Sequence, residues 1–147
     1  KQKGVQVILI FGAFSDHKIV QAAERYFFDW YIRCGFEIYL WDKSIVHGKL
    51  ALIDEGWVSI GSYNHNFLSK FGNCELNLEV INKEFNKTVE KEVHSILKSC
   101  KKVETSDLNE YSELAGFLTY ILLNFLTLFS LIFLYRQSDE EKENIAR

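Results

Sequence analysis

The chain contains no methionine and only three cysteines, and it has no excess of basic residues. Because a primary translation product begins with methionine, we expect this chain to be part of a longer protein. Cys34, Cys74 and Cys100 are widely spaced and odd in number, without a C-x-x-C, which argues against a disulfide framework and a metal-binding knot. We therefore expect buried, reduced thiols in a cytoplasmic compartment, and we assign Cys74 no catalytic role.

The charge balance argues against nucleic acid as the main partner. The formal net charge is -3, with residues 1–104 close to neutral and the remainder acidic. Nucleic-acid binding draws heavily on lysine and arginine contacts to phosphates, and the sequence shows no basic stripe that would supply them. With 147 residues and 48% hydrophobic content, the chain is long enough for one domain with a core of its own.

Residues 46–64 carry the strongest signal in the sequence. The segments 46–53 and 57–60 are apolar apart from His47 and Lys49, and a turn signal separates them, which predicts a β-hairpin. Because side chains alternate along a strand, His47 and Lys49 project from the same face, whereas Asp54 has the opposite parity and sits at the turn. The full pattern, H-x-K-x4-D-x6-G-S-x-N, consists of His47, Lys49, Asp54, Gly61, Ser62 and Asn64.

These residue types suit chemistry at a phosphate diester. The imidazole of His47 can attack phosphorus or protonate a leaving alkoxide near neutral pH. Lys49 supplies positive charge for the non-bridging oxygens, and Ser62 and Asn64 add hydrogen bonds without net charge. The arrangement requires no metal ion and no other cofactor. Asp54, although part of the candidate catalytic set, is expected to have a structural hydrogen-bonding role.

The pattern resembles the signature of the phospholipase D superfamily. The segment that follows it, N-H-N-F-L-S-K-F-G-N-C-E-L-N-L-E-V, resembles the second-half motif of bacterial cardiolipin synthases, and the resemblance covers residues 1–82. Many members have an aspartate and an arginine in the loop where this chain has Asn66 and Leu68, which leaves the lipid specificity open. The resemblance implies a domain of the α/β class, with a mixed β-sheet flanked by helices.

The resemblance also implies a reaction and a role for each site residue. The reaction is phosphatidyl transfer through a phosphohistidine intermediate, most simply between two phosphatidylglycerol molecules. In relatives with two motifs the second-half histidine usually serves as acid and base, which is the role expected for His47 if a first half is missing; in a homodimer, the two copies of His47 would divide the roles of nucleophile and acid. Lys49, Ser62 and Asn64 would bind the phosphate. A glutamate in an N-x-E pattern orients the imidazole; Glu79 is the preferred candidate and Glu75 the alternative.

A complete site of this kind needs a second motif, and this chain contains one copy. The other copy would come from a missing N-terminal half or from a homodimer partner. Two other functions stay open: a phosphodiesterase acting on nucleic acid, and an inactive module with the same fold. A membrane anchor and the near-neutral charge favour the lipid substrate over nucleic acid.

The remaining pattern predicts the order of elements. Residues 5–11 and 36–41 are apolar and read as buried strands, and an intervening helix begins at Ser15 or Asp16, giving a β-α-β unit with parallel strands. Residues 74–81 alternate as a strand, and Asn82 can cap a second helix. We give no functional role to His17, His65 or His94, and none to the glycosylation triplet at Asn86.

A hydrophobic segment follows. Residues 114–135 contain no charge and are long enough to cross a hydrocarbon core as a helix, although a helix lying in the interface is equally open. A stripe at helical spacing, Gly116, Thr119, Thr127 and Ser130, can pack against another helix. We therefore predict a catalytic half-domain at 1–104, a membrane-associated helix at 105–136 and a disordered charged tail at 137–147. The catalytic domain is expected on the cytoplasmic side of a bacterial-type inner membrane.

Overall fold

The computed structural model describes residues 4–54, 56–64, 69, 73–110 and 113–145, with backbone alone at 109, 110, 113 and 133–145. It confirms a domain of the α/β class. The strands are β1 (Ile8–Gly12), β2 (Glu37–Trp41), β3 (Lys49–Ile53), β4 (Trp57–Gly61), β5 (Asn77–Ile81) and β6 (Lys101–Lys102). The helices are α1 (Lys18–Tyr26), α2 (Phe28–Arg33), α3 (Lys83–Leu97) and α4 (Glu113–Ile145), with a 3-10 helix at Thr105–Glu110.

The first sheet has the strand order β1-β2-β6. β1 and β2 are parallel and β6 is antiparallel to β2, which confirms the predicted β-α-β unit. The single helix predicted between the strands is divided at Phe27 into α1 and α2. After α2 the chain turns at Gly35, whose φ of +87° is a backbone conformation that favours glycine.

The hydrophobic core lies between this sheet and α2. Phe28, Ile38 and Val103 are buried at its centre, and the Phe28 ring meets that of Phe11 with 5.0 Å between centroids. Leu108, in the 3-10 helix, packs against the same cluster. Leu108 thereby joins the 3-10 helix to the core of the first sheet, and the domain boundary expected at residue 104 stays a prediction.

The second sheet is antiparallel, in the order β3-β4-β5, and it contains the predicted hairpin. The predicted mixed sheet is the first one, in which β2 pairs parallel with β1 and antiparallel with β6. The hairpin strands form a second sheet together with β5. The strand predicted at 74–81 begins at Asn77.

Helix α3 begins as predicted. The side chain of Asn82 accepts a hydrogen bond from the Phe85 backbone N–H at 2.9 Å, which satisfies one of the free donors at the helix start. Asn86 is fully buried against the second sheet and donates to the Trp57 carbonyl oxygen at 3.1 Å.

Helix α4 runs without a break from the hydrophobic segment into the charged run that follows it. Disorder was predicted after residue 136, whereas the backbone is helical as far as Ile145. Among the described residues, one stretch, Leu114–Ile132, is long and apolar enough to cross a membrane. The cysteines are less buried than expected, since Cys34 and Cys100 are half-buried and Cys74 is exposed.

Candidate functional site

His47 and Lys49 lie together at the start of the hairpin. Lys49 is the first residue of β3, and its Nζ is 3.3 Å from Nδ1 of His47 and 2.8 Å from the His47 carbonyl oxygen. The imidazole is exposed and the lysine side chain is half-buried. The structure thus brings the two central residues of the signature into direct contact at one edge of the second sheet.

The contact between them selects a tautomer of the imidazole. An ammonium group can only donate hydrogen bonds, so Nδ1 of His47 must accept from Lys49. The proton of a neutral ring is then on Nε2. With its proton on Nε2, the neutral ring has no lone pair there for attack on phosphorus, and it can act as an acid only after Nδ1 also takes a proton, which requires Lys49 to leave Nδ1.

Glu75 lies at the same edge of the sheet and is held in its charged form. Its pKa is lowered from the ordinary value by hydrogen bonds from the side chains of Ser62, Ser69 and Asn73, in that order, and then by the positive charge of Lys49. The Asn73 amide nitrogen is 3.3 Å from the carboxylate. A negative charge therefore accompanies the His47–Lys49 pair.

The register of the sheet separates Glu75 from Glu79. Lys49, Gly61 and Asn77 are directly opposite one another across β3, β4 and β5. Extended by two residues, towards the N-termini of β3 and β5 and the C-terminus of β4, this register puts His47, Tyr63 and Glu75 in one row, with β4 between His47 and Glu75. Glu79 is paired with Ser59, on the far side of Asn77 from His47.

The register places Glu79 farther along the sheet from His47 than Glu75. Four residues along a strand separate the row of Glu79 from that of His47, roughly 13 Å at about 3.3 Å per residue. A hydrogen bond needs about 3 Å between heavy atoms. The register therefore favours Glu75 over Glu79 as the residue that orients the imidazole, and the choice between them stays a prediction.

Ser62 is bound to β5 and to Glu75 by hydrogen bonds. Its Oγ accepts the Leu76 backbone N–H at 3.0 Å, and its backbone N–H donates to the Leu76 carbonyl oxygen at the same distance. With its further hydrogen bond to Glu75, the hydroxyl joins β5 to the loop after β4. Ser62 therefore helps to position the carboxylate, and its predicted bond to the substrate phosphate stays a prediction.

Asn64 follows in the same loop, and a residue that the sequence analysis missed supports it. Its backbone N–H donates to Ser69 Oγ at 3.3 Å, and Ser69 is buried. Because Ser69 also donates to Glu75, its hydroxyl links the loop that contains Asn64 to the Glu75 carboxylate. The sequence does contain a signal for Glu75, since it has a second N-x-E triplet at residues 73–75. His65, Asn66 and Leu68 lie outside the described residues.

The glycine of the signature has a steric explanation. A Cβ on Gly61 would collide with the side-chain oxygen of Asn77 and with the Leu76 carbonyl oxygen. The Asn77 side chain lies across this glycine, accepting from the Tyr63 N–H at 3.2 Å and donating to Ser59 Oγ at 3.3 Å. Only glycine leaves room for this bridge, which supports the backbone immediately before Asn64.

Asp54 is at the opposite end of the hairpin. It is exposed, and its φ of +40° lies in the left-handed region that aspartate tolerates better than most residues. All five residues of β3 separate it from the His47 end. Asp54 accordingly helps to form the turn and does not contact the imidazole.

The site is an open edge and not a closed cavity. A surface depression of about 440 Å³ is lined by Lys87, Glu90, Lys91, His94, Ser95 and Lys98. It lies on the outer side of α3 and includes no residue of the signature. We give it no catalytic role, because the groups that suit phosphate chemistry are on the second sheet.

Comparisons with known proteins agree with this geometry. The family described as "Cardiolipin synthase, PLD-like domain" matches residues 1–97. The chain is 33% identical over 108 residues to cardiolipin synthase B of Salmonella typhi, covering 73% of this chain and 26% of that protein. It is 28% identical over 109 residues to a cardiolipin synthase of Clostridium perfringens, covering 74% and 23%.

The chain spans about a quarter of the length of these curated relatives. No solved structure matches it significantly. The family match covers β1 to the end of α3, which includes both sheets apart from β6 and every described residue of the signature. The chain therefore belongs to the family of the phospholipase D-like domain of cardiolipin synthases.

Proposed function

We propose that this chain supplies one half-site of a phosphatidyltransferase that makes cardiolipin. The observation that carries the proposal is the contact between His47 and Lys49, with the ionised Glu75 at the same edge. An imidazole, an ammonium group and a carboxylate suffice for acid–base work beside a phosphate diester. The family match supplies the substrate class, a phospholipid.

The reaction takes two steps. In the first, an imidazole nitrogen forms a bond to phosphorus while the bond to the departing alcohol breaks, and a second imidazole protonates the leaving alkoxide. In the second, that imidazole takes the proton from the acceptor alcohol, whose oxygen displaces the phosphohistidine nitrogen. With phosphatidylglycerol as both donor and acceptor, the products are cardiolipin and glycerol.

The tautomer of His47 supports the acid–base role for this half. In the resting arrangement the proton on Nε2 removes the lone pair that attack on phosphorus would need. As a general acid His47 works in the doubly protonated form, in which a proton on Nδ1 replaces the Lys49 contact, and donation from Nε2 to the leaving alkoxide then leaves a neutral ring. The nucleophilic imidazole then belongs to the second half-site in another part of the protein; in a homodimer, the His47 of one copy would have to release the Lys49 contact and take the other tautomer. When His47 becomes doubly protonated, Glu75 stabilises the cation.

The substrate phosphate is expected between Lys49 and the loop that contains Asn64. Lys49 supplies the positive charge that the non-bridging oxygens need as the bond to the leaving group breaks. Asn64 is exposed, and its side-chain amide is a neutral donor. Ser62 acts indirectly, by holding Glu75 and the strand beside it.

Helix α4 is the proposed membrane attachment, with the catalytic domain on the cytoplasmic side. Its polar side chains are satisfied within the helix, because each bonds to the carbonyl oxygen four residues back at 2.7–2.9 Å: Thr119, Asn124, Thr127 and Ser130. This bonding lowers the cost of removing them from water. An anchored domain can reach lipid head groups without extracting the lipid.

The direct test is a lipid-product assay on the chain joined to its complementary half-site, or on a dimer of the chain. With phosphatidylglycerol vesicles we expect cardiolipin, and we expect His47→Ala to reduce turnover at least 1,000-fold without unfolding the domain. His94→Ala, on the outer side of α3, is the matched control and should stay within twofold. Equal activity in His47→Ala would remove His47 from the mechanism.

The competing function is hydrolysis of nucleic acid, and the same preparations distinguish it. Release of nucleotides from single-stranded DNA in a His47-dependent manner, without cardiolipin or phosphatidic acid, would replace the lipid substrate. Failure of both reactions in a folded, complete site would favour the inactive module.

A further inference from the structure

Helix α4 is docked on the catalytic domain through one side of its first two turns. A Cβ on Gly116 would lie 3.0 Å from Tyr26 Cβ and 3.5 Å from the Ala22 carbonyl oxygen. Tyr120 stacks on Tyr26 with 6.3 Å between ring centroids and meets Phe27 edge-on at 4.9 Å. These contacts advance in the same direction along both helices, so α4 extends beyond the end of α1 from residue 121 onward.

The part of α4 that extends beyond α1 is too short to cross a bilayer. From residue 121 to 135, the last position before a charge, the helix is about 22 Å long at about 1.5 Å per residue. The hydrocarbon core is about 30 Å thick. A crossing that used all of Leu114–Ile132 would carry α1, with Glu24 and Arg25, towards the hydrocarbon, where charges are costly.

The two sides of α4 differ in chemistry. At 100° per residue, Thr119, Asn124, Thr127 and Ser130 fall on the side of Gly116 and Tyr120, which faces α1. The opposite side, which we name the apolar arc, is 49–65% exposed and consists of Leu118, Ile121, Leu122, Phe125, Leu128, Phe129 and Ile132. The α1 side also contains Leu123 and Leu131, but every polar side chain of the segment lies there, and a helix at an interface turns such a side away from the acyl chains.

We propose that α4 lies in the plane of one membrane leaflet, with the apolar arc among the acyl chains and the catalytic domain mounted on the other side. The occupant of the exposed arc is a phospholipid bilayer, so the inference rests on the membrane attachment in the proposed function. The charged end of the helix stays on the same side of the membrane as the catalytic domain.

This arrangement has a consequence for the reaction. Because Gly116 and Tyr120 hold α4 against α1, the helix is a fixed mount and not a flexible tether. The site edge is then kept at a constant height above a single leaflet. Donor and acceptor lipids must both come from that leaflet.

Topology is the first test. The full chain, carrying a protease site before residue 1 and another after residue 147, is bound to the outside of sealed phosphatidylglycerol–phosphatidylcholine vesicles. We expect protease added outside to cleave both sites. Cleavage at the first site with protection of the second would show a crossing helix and overturn the inference.

A matched pair of substitutions tests which side of the helix meets lipid. Phe125→Lys places a charge in the apolar arc, whereas Thr127→Lys places one at nearly the same depth on the opposite side. In vesicle flotation we expect Phe125→Lys to lose at least tenfold in partitioning and Thr127→Lys less than threefold. Equal losses in both would overturn the in-plane orientation.

The same experiment separates this inference from the proposed function. If the unmodified chain does not float with vesicles, the membrane attachment itself fails, and the inference fails with it. If it floats but the two lysine variants behave alike, only the orientation fails. Neither readout depends on catalysis, and circular dichroism verifies that each variant is folded.

Discussion

At the scale of single residues, hydrogen-bond donors decide what the imidazole of His47 can do. Lys49 has donors only, so its contact with Nδ1 leaves the mobile proton on Nε2. An ionised carboxylate can only accept hydrogen bonds. The side chains of Ser62, Ser69 and Asn73 keep Glu75 ionised by lowering its pKa. Lys49 therefore matches the neutral imidazole of His47, and the ionised Glu75 matches the protonated imidazole.

The choice between the two glutamates gives a prediction. Glu75→Gln removes the charge beside Lys49 while keeping the shape, and we expect a 10- to 100-fold fall in kcat with a small change in KM, the range typical for partners of a catalytic ligand. Glu79→Gln should stay within threefold, because its row in the sheet is remote from His47. Steady-state kinetics of the complete enzyme with phosphatidylglycerol provides the comparison.

The pH profile adds a second readout. If Glu75 stabilises the protonated imidazole, Glu75→Gln lowers the pKa on which turnover depends, and Glu79→Gln does not. A larger loss in Glu79→Gln than in Glu75→Gln would contradict the register argument.

Residue types and residue positions were not equally predictable. The signature singles out His47, Lys49 and Asn64 as candidate site residues because these residue types occur at fixed spacings in the pattern. Glu75 and Glu79 have the same parity on one strand, so alternation cannot distinguish them, and only the register with β4 does. Ser69 has no spacing signal, since its role depends on a loop that returns to Glu75.

At the scale of elements, the sequence predicted the features that depend on only a few neighbouring residues. The turn at Asp54 and the cap at Asn82 were predictable because each is decided within a few residues. The division of the strands into two sheets was not, since it depends on which strand reaches the free edge of β2, and β6 lies far along the chain. Helix α4 was expected as a separate element. Its contact with α1 joins residues that are far apart in the sequence, and no local pattern predicts such a contact.

That contact gives a prediction for Gly116. Gly116→Leu forces side-chain atoms against Tyr26 and Ala22, and overpacking of this kind costs about 1–3 kcal/mol. Ala115→Leu is the matched control, since residue 115 is exposed on the neighbouring side of the helix. Thermal unfolding in detergent should show a lower Tm for Gly116→Leu and an unchanged or slightly higher Tm for Ala115→Leu.

The alternative result is also informative about the element. If both variants unfold at the temperature of the parent, α4 does not contribute to the stability of the domain and is a tether after all. The fixed mount proposed for the catalytic site would then lose its support.

At the scale of the whole molecule, one polar cluster joins distant parts of the first sheet. Glu37 on β2 accepts hydrogen bonds from Gln6 at 2.6 Å, Lys102 at 3.0 Å and Tyr39 at 3.1 Å. Gln6 precedes β1 and Lys102 is on β6, so the carboxylate connects all three strands. The bonds from Gln6, Lys102 and Tyr39, in that order, hold the pKa of Glu37 below its ordinary value.

The sign of this shift determines how stability depends on pH. A carboxylate whose pKa is lower in the folded state stabilises the fold above its unfolded pKa, which is about 4.3, and this contribution is lost as the pH falls through the lowered value. Lys102 has a raised pKa through the same bond, so its contribution is lost only at alkaline pH, above about 10.4. Near pH 7 both contributions are present.

We therefore expect Glu37→Gln to lower the Tm of the whole domain at pH 7, and the difference from the parent to narrow steadily between pH 5 and pH 3. The narrowing follows because protonation of Glu37 in the parent removes the same charge that the substitution removes. Glu92→Gln, which changes an exposed carboxylate on α3, controls for the loss of one negative charge. A Tm difference that stayed constant down to pH 3 would mean that the cluster acts through shape alone, and the charge of Glu37 would have no part in holding the three strands together.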